Sequence, residues 1–167
     1  MKRVINLFSD PQLKFKKWNE GEQYGGAEAP LASLWGAKKL GFHLETLAPG
    51  KFACPYHRHE KEEELFIALK GSATIRQDGQ FYEVKEGDLF FFPPGTTHQF
   101  YNHTKEDFLF FALSDDDPSE VCHYPDSHKK LDTKTRTITQ DGTVVEDYWK
   151  DEEDPRKFWP KEILDRS

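Results

Sequence analysis

From Leu31 to Leu113 apolar and polar positions follow a β-like pattern, in short runs separated by turn residues. "KLGFHLETLAPG" sets Leu40, Phe42, Leu44 and Thr46 on one face and Gly41, His43, Glu45 and Leu47 on the other, then turns at Pro49-Gly50. "ELFIALKG" is a mostly apolar run closed by Gly71. "SATIRQDGQFYEV" holds Asp78-Gly79 between two strand-like runs, a strong short-range hairpin signal. "KEGD" turns the chain into "LFFFPPG", and "HQFYNH" and "DFLFFAL" supply two further strands. Short strands with turns about every eight to twelve residues predict an all-β barrel or sandwich.

The flanks read differently. Residues 1–30 are mixed and turn-rich ("NEGEQYGGAEAP"), which suits an N-terminal arm or edge strand. Residues 31–113 form the expected barrel core. Residues 114–167 form a C-terminal extension whose "SDDDPSE" and "DSHKKLDTKTR" are charged and turn-rich. "ITQDGTVVEDYW" allows one more hairpin, through Asp141-Gly142. Trp149 and Trp159 suggest a tail that packs on the barrel or on a partner subunit; partial disorder is the alternative. With no repeat and no low-complexity linker, one domain with tails is the simplest organisation.

Composition narrows the class. A chain of 167 residues is long enough for one domain with a real core. Aromatic residues make up 14%, with 14 phenylalanines, which suits an aromatic-lined β interior. The net charge of −7 argues against nucleic acid and gives no attraction to anionic membranes. No apolar run reaches the length of a membrane span, and the apolar part of "MKRVINLFSDPQLKF" is too short and broken for a signal peptide. The expected location is therefore the cytoplasm. There Cys54 and Cys122 are expected as free thiols, with Cys54 three residues before His57.

The candidate chemistry lies in "PYHRHEKEEELFIALKG". Residues two apart on a strand face the same side, so His57 and His59 would sit roughly 6.6 Å apart and could converge on one ion. Glu64 opens the next strand, and His98 begins another after Pro93-Pro94-Gly95. Three nitrogens and one oxygen suit a divalent first-row transition metal, with Fe, Mn, Ni and Zn all compatible. The plain alternative is a set of surface polar residues, and for Glu60 to Glu63 a solvated charge run is the better reading.

At these residues the chain resembles the cupins, small jelly-roll β-barrels. Their first motif, G-x5-H-x-H-x3/4-E-x6-G, corresponds to Gly50, His57, His59, Glu64 and Gly71, with six residues rather than five between Gly50 and His57. Glu63 would also be near, but only Glu64 gives the six-residue gap to Gly71. The second motif, G-x5-P-x-G-x2-H-x3-N, appears as Gly87, Pro93, Gly95, His98 and Asn102. The resemblance implies a jelly-roll cupin barrel with N- and C-terminal extensions, a metal held by His57, His59, Glu64 and His98, and a homodimer. It extends to single-domain bacterial cupins, some of them named sugar-phosphate isomerases.

By alternation Phe66 shares a face with Glu64, and Phe100 and Asn102 share one with His98, so these three would line the metal cavity, although Asn102 reads equally as a structural strand-end residue. His43, His103, His123 and His128 carry no motif support and read as surface or satisfied histidines. The assignable inward faces offer no Arg or Lys, although a one-residue slip would turn Lys38, Lys39 or Arg76 inward. A sugar phosphate needs a cationic clamp. The expectation is therefore a metal-dependent enzyme on a small organic molecule, dioxygenase-like. An isomerase or epimerase and a non-catalytic binding module are the alternatives. Glu45 and Tyr82 are the candidates for a separate general base.

Overall fold

The structure is a computed structural model and describes residues 4–166. Fourteen strands carry the fold: β1 (Lys16–Glu20), β2 (Tyr24–Ala29), β3 (Leu40–Leu47), β4 (Arg58–His59), β5 (Glu64–Lys70), β6 (Ser72–Gln77), β7 (Gln80–Lys85), β8 (Leu89–Phe92), β9 (His98–Tyr101), β10 (Phe108–Asp115), β11 (Val121–Tyr124), β12 (Lys129–Asp132), β13 (Thr137–Gln140) and β14 (Thr143–Val145). They form an antiparallel six-stranded sheet in the order β1-β2-β3-β10-β5-β8 and two smaller sheets, β7-β6-β9 and β14-β13-β12-β11-β4. The smaller two meet where His57 and His98 exchange backbone hydrogen bonds of 3.1 and 2.8 Å.

The strands form where the alternation predicts. β5 turns Phe66 and Ala68 inward, and β10 turns Phe108, Phe110 and Ala112 inward, into one core with Ile75, Phe92 and Phe100. Both predicted hairpins have two-residue turns, with φ of 47° and 78° at Asp78-Gly79 and 48° and 79° at Asp141-Gly142. Left-handed angles at both positions are what the right-handed twist of a hairpin demands, and Asp-Gly supplies them at low cost. Gly71 is fixed twice over: its φ is 82°, and a Cβ there would stand 2.9 Å from the Asp107 carbonyl oxygen.

Three features differ from the pattern. Leu31–Trp35 is a short helix, α1, not the start of the β region. Pro30 precedes it and Gly36, at φ 69°, stops it. On β3 the apolar row faces outward: Leu44 packs with Ala29 and Leu31, and Phe42 meets the Trp35 ring at 5.8 Å, while His43 and Glu45 turn inward. Within residues 16–29 β1 pairs with β2 and β2 with β3, so the sheet begins well before residue 31, with β1 as its edge strand.

The C-terminal segment packs against the barrel. A second helix, α2 (Lys161–Leu164), follows Trp159, and Trp159, Ile163 and Leu164 cover Tyr24, Phe52 and Tyr101. The Trp159 indole N–H donates to Gln99 Oε1 at 2.8 Å, and Trp149 lies 4.8 Å from the Tyr24 ring. Among the described residues no helix is long and apolar enough to cross a membrane.

Candidate metal centre

The fold brings His57, His59, Glu64 and His98 into one cavity of about 310 Å³. His57 and His98 arrive through their shared backbone pair, with ring centroids 4.5 Å apart. His59 follows one residue after Arg58 on β4, its ring 5.1 Å from that of His57. Glu64 opens β5, and its Oε2 lies 3.0 Å from His98 Nε2 and 3.3 Å from His59 Nε2. Ligand atoms of His57, Glu64 and His98 all fall within 4.8 Å of one another.

Each imidazole is held by its other nitrogen. His57 Nδ1 lies 2.9 Å from the Pro55 carbonyl, and His98 Nδ1 lies 3.3 Å from the Thr96 carbonyl. His59 Nδ1 is surrounded by Cys122 Sγ at 3.4 Å, Glu62 Oε2 at 3.6 Å and Glu120 Oε1 at 3.8 Å. Nδ1 facing an acceptor fixes the tautomer and presents Nε2 to a metal, the arrangement metal-ligating histidines share. The test of fit lies in two buried atoms. His59 Nε2 and Glu64 Oε2 approach within ion-pair distance yet make no hydrogen bond of good geometry among the described residues. Buried polar atoms without partners are expensive, and a divalent cation between them would satisfy both. The donor set of three nitrogens and one carboxylate oxygen suits that cation.

The charges are already arranged for it. Burial would raise the Glu64 carboxyl, but His59 and His98 hold it well below the usual range. Burial, with His98 beside it, pushes His57 down to about 3, so that ring is a neutral donor. Burial opposes a charge on His59 too, but Cys122 and Glu64 outweigh it and hold that ring up at about 11. A proton and a metal ion therefore compete for His59.

Glu120 is the main residue that sequence reasoning missed. It is 1% exposed, and its carboxylate accepts the backbone N–H groups of Glu60, Lys61 and Glu62 at 2.7, 3.0 and 2.8 Å. It thereby sets the turn between His59 and Glu64. Nothing in "SDDDPSE" marks it, because its partners are backbone groups from a distant segment. Of the acidic run, Glu60 pairs with His123 at 2.5 Å, and Glu62 approaches the site.

Phe66 and Phe100 line the cavity as the alternation predicts, joined by Phe110 and Ala53. Asn102 does not, which corrects the expectation. β9 ends at Tyr101, so the two-residue period stops before Asn102 reaches the cavity face. Its buried amide instead donates to the Leu47 and Glu106 carbonyls at 2.8 Å each. His43 is the satisfied kind of histidine, its Nε2 3.5 Å from Glu45 Oε2, and it also lines the cavity. Of the two candidate bases, Glu45 is inside and Tyr82, 52% exposed, is not. Cys54 lines the wall with Sγ 3.5 Å from His57 Nδ1. Cys122, Tyr124 and Tyr148 close the cavity from the C-terminal segment, and no local spacing announces them.

No Lys or Arg lines this cavity among the described residues. Arg76 is spent on Asp126 Oδ2 and Oδ1, at 2.5 and 3.1 Å, and stacks 3.6 Å over the Tyr56 ring. A separate cleft of about 370 Å³, among Arg58, His123, Lys130 and Asp141, contains none of the four ligands.

Known proteins agree with this fold. Residues 43–114 match the family described as "Cupin domain". A candidate sugar phosphate isomerase of Acidithiobacillus ferrooxidans superposes with a TM-score of 0.76 at 23% identity, over 87% of this chain and 98% of that one. That likeness is one of fold. A sugar phosphate isomerase of Silicibacter pomeroyi gives a TM-score of 0.67 at 25% identity, over 72% and 80%. The oxalate-binding protein of Thermotoga maritima is 31% identical over 72 residues, 43% of this chain and 59% of that protein. The matches to curated relatives span 40–59% of those relatives' own lengths. Two motif-bearing strand pairs, the jelly-roll topology and the family match over residues 43–114 make the barrel a cupin domain.

Proposed function

We propose that this protein is a metal-dependent enzyme acting on a small, unphosphorylated organic molecule in the barrel cavity. One observation carries the reading: ligand atoms of His57, Glu64 and His98 lie within 4.8 Å of one another and His59 Nε2 lies 3.3 Å from Glu64 Oε2, in a cavity with no cationic side chain among the described residues. His57, His59, Glu64 and His98 hold the ion. When bound, a divalent metal with four protein ligands polarises an oxygen of the substrate or brings substrate and dioxygen together. The chain's own residues do the rest. Phe66, Phe100 and Phe110 exclude water and favour an apolar or aromatic portion of ligand. Tyr124 and Tyr148, whose hydroxyls lie 3.3 Å apart, offer hydrogen bonds to its polar portion.

The related folds named as sugar phosphate isomerases raise a phosphorylated substrate as a reading. The lining argues against it, since a phosphate dianion would meet Glu45 and Glu64 with no guanidinium or ammonium to hold it. Oxygen chemistry is the second reading, favoured by the phenylalanine wall.

The test is metal content by mass spectrometry, on protein purified without chelators or nickel resin, beside His98→Ala. Near-stoichiometric metal lost in the variant is the expected result. Iron would direct the search to oxygen uptake, and zinc, manganese or nickel to proton-transfer or hydrolytic chemistry. No metal in either protein would leave a binding module and end the enzyme reading.

A further inference from the structure

The cavity holds a second pair of titratable side chains that the four-ligand site does not use. His43 and Glu45 stand two residues apart on the inner face of β3 and line the same cavity as the ligands. Glu45 Oε2 lies 3.5 Å from His43 Nε2, and the two side chains are 13% and 34% exposed. Across β3 they face Phe110 and Ala112 of β10, which offer no hydrogen bond. Packing gains little from such a pair, because apolar residues of the same volume would stabilise the wall as well or better. An imidazole oriented by a carboxylate on a substrate cavity is, however, the usual form of a general acid–base.

We propose that His43 and Glu45 are the proton-transfer pair of this cavity, acting on a small neutral α-hydroxycarbonyl compound; the proposal rests on the metal-dependent reading above. The substrate class follows from the lining. Glu45 and Glu64, with Glu28 opposite Glu45 on β2, disfavour anions, and no cation is present among the described lining residues to offset them. A carbon beside a carbonyl is the kind of C–H an imidazole can deprotonate. An adjacent hydroxyl provides a second oxygen for binding, and the tyrosine hydroxyls suit it. With Nε2–H donated to Glu45, His43 Nδ1 is the basic nitrogen. It takes the proton from the carbon bearing the hydroxyl, and the C–H electron pair forms the C=C bond of an enediolate while the carbonyl oxygen takes the negative charge. Transfer of the hydroxyl proton to that oxygen and return of the carbon-derived proton to the other carbon yield the isomeric α-hydroxycarbonyl compound, and return to the first carbon yields its epimer or the starting compound. No oxidant or reductant is consumed. Glu45 acts through His43 and is a positioning residue.

The experiment incubates the metal-loaded full chain with dihydroxyacetone and with glyceraldehyde in D₂O and follows deuterium at carbon by proton NMR. Wild-type protein is expected to exchange at least about 100-fold faster than His43→Gln. The His43 ring, observed directly by NMR, is expected to titrate at lower pH in Glu45→Gln. Burial opposes the charged ring, but Glu45, with smaller contributions from Glu28 and Glu64, outweighs it and raises the ring's pKa. Metal content, measured on every sample, is expected to be unchanged in both variants and reports an intact barrel. Equal exchange in wild type and His43→Gln at full metal content would overturn the pair while leaving the metal site standing. A wild-type protein without metal would overturn the reading beneath it.

Discussion

His59 is where the chemistry of the site is most finely balanced. Its two nitrogens face opposite demands: Nε2 looks toward Glu64, and Nδ1 toward Cys122, Glu62 and Glu120. Because the ring is held protonated up to about 11, metal binding at neutral pH must expel a proton from it. His57, held down at about 3, contributes none. Metal affinity should therefore rise about tenfold per pH unit between pH 6 and 9. Calorimetry in buffers of different ionisation enthalpy should find about one proton released per ion. Affinity that does not change with pH would contradict the proton–metal competition at His59. Glu120→Ala removes the acceptor of three backbone N–H groups and frees the turn that spaces His59 from Glu64. Metal affinity is expected to fall roughly 10–100-fold, read by competition with a chromogenic chelator. The four candidate ligands were legible because strand periodicity puts His57 and His59 on one side and the resemblance to the cupin motifs adds Glu64 and His98. Glu120 was not, because it carries no motif and its carboxylate is hydrogen-bonded by backbone groups of a distant segment.

At the level of elements, turn chemistry was the most legible part. Asp78-Gly79 and Asp141-Gly142 announce their hairpins, and Gly71 announces a chain reversal. Gly71→Ala should destabilise the protein by about 1–2 kcal/mol from backbone strain, and more from the close Asp107 oxygen, as read from urea unfolding. Unchanged stability would mean the 71–72 and 107–108 segments adjust freely. Face assignment was harder. On β3 both rows contain apolar residues, so alternation gives the two faces without saying which is inside; Leu44 is claimed by α1 and β2, leaving His43 and Glu45 to the cavity. Asn102 shows the opposite limit, where a period was carried one residue past the end of its strand.

The whole molecule depends on segments outside the family-matched barrel. Trp159 contacts Phe52 and Tyr101 and bonds to Gln99, so Trp159→Ala should cost about 3–5 kcal/mol and lower the melting temperature by roughly 6–20 °C. A surface substitution such as Glu162→Ala is the control. Subunit association is a second property at this scale. β1 pairs with β2 within the chain's own sheet and forms one of its edges. β8 forms the other edge and exposes Leu89 and Phe91, at 62% and 45%. We propose that this edge supports the expected homodimer. Sedimentation should show a dimer for the wild type and a monomer for Leu89→Lys with Phe91→Lys; a monomeric wild type would end that reading.

The wall supplied by Cys122, Tyr124 and Tyr148 has a consequence for the order of synthesis. Every candidate ligand lies before residue 99, and residues 43–114 contain the family match, yet the side chains of Cys122, Tyr124 and Tyr148 are translated later. Chains emerge from the ribosome N-terminal part first, at about 5–20 residues per second. For a few seconds a nascent chain would carry three histidines and a carboxylate without their enclosing wall, and without Glu120 to fix the turn between them. Ions met during that interval would be sorted by ligand affinity alone; only after β11 docks on β4 could the finished enclosure influence which one stays.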